Sequence, residues 1–174
     1  HEEAMSPIKR NLFMSALSAV LAACASLPTG QNSATSQDTP PGDLSVSRVL
    51  VTEGLQKLQA HRYDDASRIF NAGLKFAPDN AQIHFLNGLT YHLLYQRGDD
   101  AAKGLAATGY EMALNIEPAH YPAAMQLGRL AYEPKRYAKA VEAFRPATDI
   151  EPASGEAYLG LAMAAYHARD LATA

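Results

Sequence analysis

The sequence states one phrase three times. Lys75-Phe76-Ala77-Pro78-Asp79-Asn80 returns as Asn115-Ile116-Glu117-Pro118-Ala119-His120, and again as Asp149-Ile150-Glu151-Pro152-Ala153-Ser154. The prolines stand 118 − 78 = 40 and 152 − 118 = 34 residues apart. A helix-closing proline at such an interval marks stacked copies of one supersecondary unit, since a single unit cannot bury its own apolar face. The positions between the stops keep register. Twelve residues before each proline is a small residue, Ala66, Ala106 and Ala140. Eight before is an aromatic one, Phe70, Tyr110 and Phe144, and five before is another small one, Gly73, Ala113 and Ala147. The first half of each unit carries a glycine, Gly54, Gly88 and Gly128. Small residues let two helices cross closely, and the aromatic ring fills the space beside them.

This joint register resembles the tetratricopeptide-repeat (TPR) family over residues 47–174, about three quarters of the chain. The resemblance implies an all-α fold, a TPR α-solenoid of antiparallel helix pairs in a right-handed superhelix. Its units would be 47–80, 81–120, 121–154 and a partial one at 155–174. The helices are expected near Ser47–Ala60, Tyr63–Phe76, Ala81–Gln96, Ala101–Ile116, Tyr121–Tyr132 and Tyr137–Ile150, with a seventh from Gly155. Asp79-Asn80 and Ser154 suit helix N-caps, and Pro122 suits a first turn.

Three departures from the pattern stand out. The second unit has 40 − 34 = 6 extra residues, around Leu94 to Lys103. Pro146 falls inside a predicted helix, where it removes a hydrogen bond and should kink the chain. The fourth unit has room for one helix and the start of another before Ala174. Solenoids need a polar cap at each end, so the chain is expected to continue beyond that point.

The N-terminal segment reads as an address. Met5 is the expected start, with His1-Glu2-Glu3-Ala4 upstream of it. Lys9 and Arg10 precede Leu12 to Ala23, a stretch apolar except for Ser15 and Ser18. A basic region followed by an apolar run of this length is a secretory signal, too short for a bilayer span of about 20 residues. Leu21-Ala22-Ala23-Cys24 resembles the lipobox of bacterial lipoproteins, and Cys24 is the only cysteine. That resemblance implies a signal peptide over 1–23, acylation of Cys24 and a membrane contact through the lipid. Ala25 and Ser26, with no Asp directly after the Cys, resemble lipoproteins sorted to the outer membrane and facing the periplasm. Residues 24–46, rich in Ser, Thr, Gln, Pro and Gly, cannot bury enough surface to fold. They read as a leash about 25 Å in root-mean-square length, with Pro40-Pro41-Gly42 holding off any helix before the domain.

Chemistry is scarce along the chain. A net charge of −3 supplies no basic stripe for nucleic acid. No GxxxxGK[ST], GxGxxG, GxSxG or HExxH pattern occurs. His84 and His92 share a predicted helix face without a third ligand, so no metal is expected. Asp99-Asp100 read as the N-terminal cap of a helix, where anionic groups suit the dipole. Glu142, Glu151 and Glu156 form no carboxylate pair. No catalytic residue and no cofactor is expected, and the chain reads as a binder rather than an enzyme.

What remains is surface. The TPR resemblance places the first helices of successive units along a concave groove. The groove positions would be Arg48, Val51, Leu55 and Leu58 in the first unit, and Gln82, Phe85, Leu89 and His92 in the second. The third unit adds Met125, Arg129 and Tyr132, and the fourth Leu159, Met163 and Tyr166. Exposed contiguous apolar surface marks binding sites, and Tyr, Met and Arg are enriched in interfaces. The competing expectation is that these residues pack against a further domain. TPR grooves that clamp acidic C-terminal tails use Lys and Asn where this chain has Val51, Leu55, Phe85 and Leu89, so an apolar peptide or partner helix suits it better. The resulting expectation is a protein-binding scaffold of the bacterial envelope, in the manner of pilus or secretion assembly. The rival is a docking arm for an enzyme or channel domain beyond residue 174.

Overall fold

The computed structural model describes residues 41–132 and 136–172, and among these every regular element is a helix. The signal segment, Cys24 and most of the leash fall outside the described residues. We number the helices α1 (Pro41–Gln59), α2 (Tyr63–Phe76), α3 (Ala81–Gln96), α4 (Ala102–Ile116), α5 (Tyr121–Tyr132), α6 (Tyr137–Ile150) and α7 (Gly155–Ala172). Each packs on its neighbours in sequence, and α3 also meets α5 as α5 meets α7. None of the described helices is long and apolar enough to cross a membrane.

The repeated phrase is a stop-and-start junction, built the same way three times. Ala77, Glu117 and Glu151, each just before the proline, leave the helix at φ −142°, −128° and −124°. The proline ring forces this, because it excludes the helical region for the residue before it. Their amides still donate to the carbonyls of Gly73, Ala113 and Ala147 and close the last turn. Two residues past each proline, a side chain caps the next helix. Asn80 Oδ1 accepts the Ile83 N–H at 3.1 Å, His120 Nδ1 the Ala123 N–H at 3.2 Å and Ser154 Oγ the Ala157 N–H at 3.3 Å. Each bond satisfies one of the four orphan donors of a helix start.

Four helices begin and end where the spacing predicts, and α4 starts at Ala102 rather than Ala101. α1 ends at Gln59 rather than Ala60, and two boundaries differ by more than one residue. Pro41 opens α1, 47 − 41 = 6 residues before the predicted start. A proline disfavours the helix before it, whereas its fixed φ and missing N–H fit the first turn of one that follows. At the other end α7 runs unbroken to Ala172, so no further helix begins before that residue. Pro146 lies inside α6, which continues past it to Ile150.

The six extra residues of the second unit are spread out. α3 has 16 residues against 12 in α5, α4 has 15 against 14 in α6, and the turn between α3 and α4 is one residue longer. Gly98 takes φ +103° in that turn, a region open to a residue without Cβ.

Ala66, Ala106, Ala140, Phe70, Tyr110 and Phe144 are all buried. A Cβ added to Gly128 of α5 would stand 2.5 Å from Phe144 Cδ1, and one on Gly160 of α7 2.8 Å from Phe144 Cε1. The Phe144 ring is therefore held between backbones on both sides. It centres a cluster with Ala124, Met125, Ala140, Ala147, Ala157 and Ala164. Burying such a side chain contributes about 1.5–3 kcal/mol.

Candidate functional site

The groove positions predicted from sequence lie at one register on the first helix of each unit, yet their surroundings differ. In α1, Arg48 is exposed, Val51 and Leu55 are half-buried, and Leu58 is buried. In α3, Gln82 is half-buried while Phe85, Leu89 and His92 are in the core, Phe85 with only 1% of its surface exposed. In α5, Met125 is buried and Arg129 and Tyr132 are half-buried; in α7, Leu159, Met163 and Tyr166 are exposed.

Leu58, Phe85, Leu89, His92 and Met125 thus pack the interior instead of presenting a surface. The reason is visible for α3. Ten of its sixteen residues are buried, over most of its circumference, and a helix buried on most sides is enclosed by its neighbours. The Phe85 ring lies 6.0 Å from Tyr110 and 5.0 Å from His120. His92 Nδ1 and the Tyr110 hydroxyl share a hydrogen bond of 3.1 Å. His84, predicted to share the His92 face, instead donates from Nε2 to the Pro78 carbonyl at 2.7 Å. Among the described residues no three His, Cys, Asp or Glu are grouped to hold a metal.

Polar links stitch the units together. Asn87 Nδ2 donates to Asn71 Oδ1 at 2.8 Å, and Asn71 Nδ2 to the Tyr91 hydroxyl at 3.0 Å. The Arg97 guanidinium lies 4.3 Å over the Tyr63 ring, a cation–π contact between the helix turns of the first two units. Arg129, a predicted groove residue, is ion-paired to Glu156 of α7. The Tyr121 hydroxyl meets Ser154 Oγ at 2.7 Å. Asp99 Oδ1 accepts the Ala101 N–H at 3.1 Å, so it braces the turn before α4 rather than capping the helix itself.

Two features escaped the sequence reading. The first is an aromatic cluster. Tyr132 lies edge-on to Tyr137 at 5.1 Å, Tyr137 stacks on His167 at 5.0 Å, and Tyr166 meets His167 at 5.3 Å. Burial, reinforced by Tyr137, raises the Tyr132 hydroxyl above its ordinary pKa. The shared signal is Tyr63 and Tyr137, each opening the second helix of its unit. The second is His120, whose place two residues past a proline equals that of Asn80 and Ser154. Its burial lowers the imidazole pKa, against the opposing pull of Glu117.

No protein-family model and no curated protein matches the sequence. Solved structures do. The Sgt2 TPR domain from Aspergillus fumigatus superposes with a TM-score of 0.65 at 20% identity, covering 82% of this chain and 89% of that one. The first TPR of Spaghetti (RPAP3), bound to an HSP90 peptide, gives 0.63 at 17% identity, covering 70% and 92%. The Yersinia enterocolitica type III secretion chaperone SycD, in complex with a peptide of the translocator YopD, gives 0.60 at 13% identity, covering 68% and 92%. With its junctions, close-approach glycines and helix order, the chain has the all-helical tetratricopeptide-repeat solenoid fold.

Proposed function

We propose that this chain is a protein-binding scaffold of the bacterial envelope that acts by holding partners rather than by catalysis. The observation that carries the proposal is the half-exposed register of the first helices. Val51 and Leu55 on α1 and Tyr132 on α5 remain partly accessible at predicted groove positions, beside Arg48 and Arg129. Apolar and aromatic side chains flanked by arginine make a surface for an extended peptide or an amphipathic helix. Structures of the same fold that hold an HSP90 peptide and a YopD peptide support a peptide partner. The Leu21-Ala22-Ala23-Cys24 sequence supports the second half of the proposal, a lipid on Cys24 tethering the domain to the outer membrane within the periplasm. Pilus and secretion assembly are the processes such a tethered scaffold would serve.

The test is site-specific photo-crosslinking of the lipidated protein in intact envelopes. A crosslinker at Leu55 or Tyr132 should yield a discrete protein adduct. The same probe at Asp64 or Lys139, exposed on α2 and α6, should yield none. Equal adducts from both sets would sink the groove reading.

A further inference from the structure

α3 packs against α2, α4 and α5. Its buried residues include Ile83, Phe85, Leu86, Leu89 and Leu93. Apolar burial has no direction, so it defines poorly how such a helix is turned, or how far it slides along its neighbours. Hydrogen bonds are directional, and α3 buries two side chains that make them to other helices.

Asn87 donates from Nδ2 to Asn71 Oδ1 of α2 at 2.8 Å, and only 7% of Asn87 is exposed. His92 is fully enclosed, and its Nδ1 shares a bond of 3.1 Å with the Tyr110 hydroxyl of α4. The two residues are 92 − 87 = 5 positions apart, about 140° around a helix. One bond therefore faces each neighbour. Thr90, the other buried polar residue of α3, donates to the Leu86 carbonyl of its own helix at 2.8 Å and ties α3 to nothing else.

The repeats supply an internal comparison. Asn87 directly precedes Gly88, where Leu127 precedes Gly128; His92 lies four after Gly88, as Leu58 lies four after Gly54. In place of Tyr110, α2 and α6 carry Phe70 and Phe144. Leu58, Phe70 and Phe144 are all buried, so apolar side chains can fill these positions. The polar choice also destabilises. Asn87 Oδ1 is buried and accepts no hydrogen bond among the described residues, and an unpaired buried acceptor loses its hydration without return.

We propose that Asn87 and His92 are the registry pins of α3. They select one rotation and one height of the helix between α2 and α4, rather than adding to the stability of the fold. A turned or shifted α3 would exchange one apolar side chain for another with little change in buried area. It would also strand two buried polar groups, and that difference singles out the native arrangement. Fixing register is the best-attested use of isolated polar groups in an apolar interior. The proposal concerns the fold and stands whether or not the envelope reading holds.

The test combines Asn87→Leu, His92→Leu and Tyr110→Phe in the 174-residue chain. The triple variant should stay helical by circular dichroism and melt at the parent's temperature or above it. Tyr110→Phe alone, which takes one bond from the buried His92 ring, should melt below the parent. In proton–nitrogen correlation spectra the α3 amides of the triple variant should broaden or double relative to the parent. Their hydrogen exchange should quicken by about tenfold or more, as expected when a helix samples several packings. A single sharp set of α3 signals with parental exchange would show that apolar packing alone specifies the helix. A triple variant that loses its helix, or melts below Tyr110→Phe, would show that the two bonds chiefly stabilise. Either result overturns the proposal.

Discussion

His120 caps α5 through its ring: Nδ1 lies 3.2 Å from the Ala123 nitrogen and accepts that N–H. An acceptor at Nδ1 requires the neutral imidazole, so the bond and the proton compete for one lone pair. Burial acts in the same direction and holds the folded pKa below the ordinary histidine value of 6.5.

The cap should therefore make stability depend on pH. The folded state binds the proton less readily than the unfolded chain, so the contribution is complete above about pH 6.5. It declines as pH falls below that value, down to where the folded imidazole itself protonates. His120→Asn keeps a cap like that of Asn80 and removes the titration. Its melting temperature should fall less steeply than the parent's between pH 6.5 and pH 5, and parallel curves would refute the assignment.

Glycine substitutions should reverse the usual helix propensity at one site and obey it at another. Ala normally gains about 0.5–1 kcal/mol over Gly inside a helix. At Gly128 the new Cβ would meet Phe144 Cδ1 at 2.5 Å, and overpacking costs about 1–3 kcal/mol. Gly128→Ala should lower the denaturation midpoint. Gly104→Ala, with nothing within 4 Å of the new Cβ, should hold or raise it. Two stabilised variants would show that the close approach is misplaced.

Phe85 should behave as core. Phe85→Ala removes a ring packed against Tyr110 and His120, and such truncations cost about 3–5 kcal/mol. Thermal unfolding should show this directly, and partner capture should fail only in step with the fold. A Phe85→Ala protein that melts like the parent but no longer captures its partner would restore Phe85 to the binding surface.

Cys24 lies outside the described residues, and its role is a matter of chemistry in the cell. Cys24→Ser removes the thiol that would accept the lipid. The variant should accumulate as a longer precursor and incorporate no labelled fatty acid. Normal processing and labelling of the variant would defeat the anchor.

Much of the fold was legible in the sequence because its punctuation is local. Pro78, Pro118 and Pro152 dictate the conformation of the residue before them whatever lies nearby, and Asn80 and Ser154 cap the helix that begins at the next residue by accepting the N–H three residues on. The small and aromatic positions of each second helix recur because one crossing geometry recurs. That is why the limits of α2, α3, α5 and α6 could be read from spacing alone. The capping role of His120 was also within reach, from its position rather than its residue type.

Exposure was decided only by the tertiary structure. Phe85, Leu89 and His92 of α3 and Leu159, Met163 and Tyr166 of α7 occupy the same register and have similar apolar character. The first three are buried and the last three stand in solvent. Register determines which direction a side chain takes from its helix, and the sequence carries that. Whether it meets protein or water depends on what other helices occupy that direction. α3 is enclosed by α2, α4 and α5, whereas α7 is covered only on the side of α6 and α5.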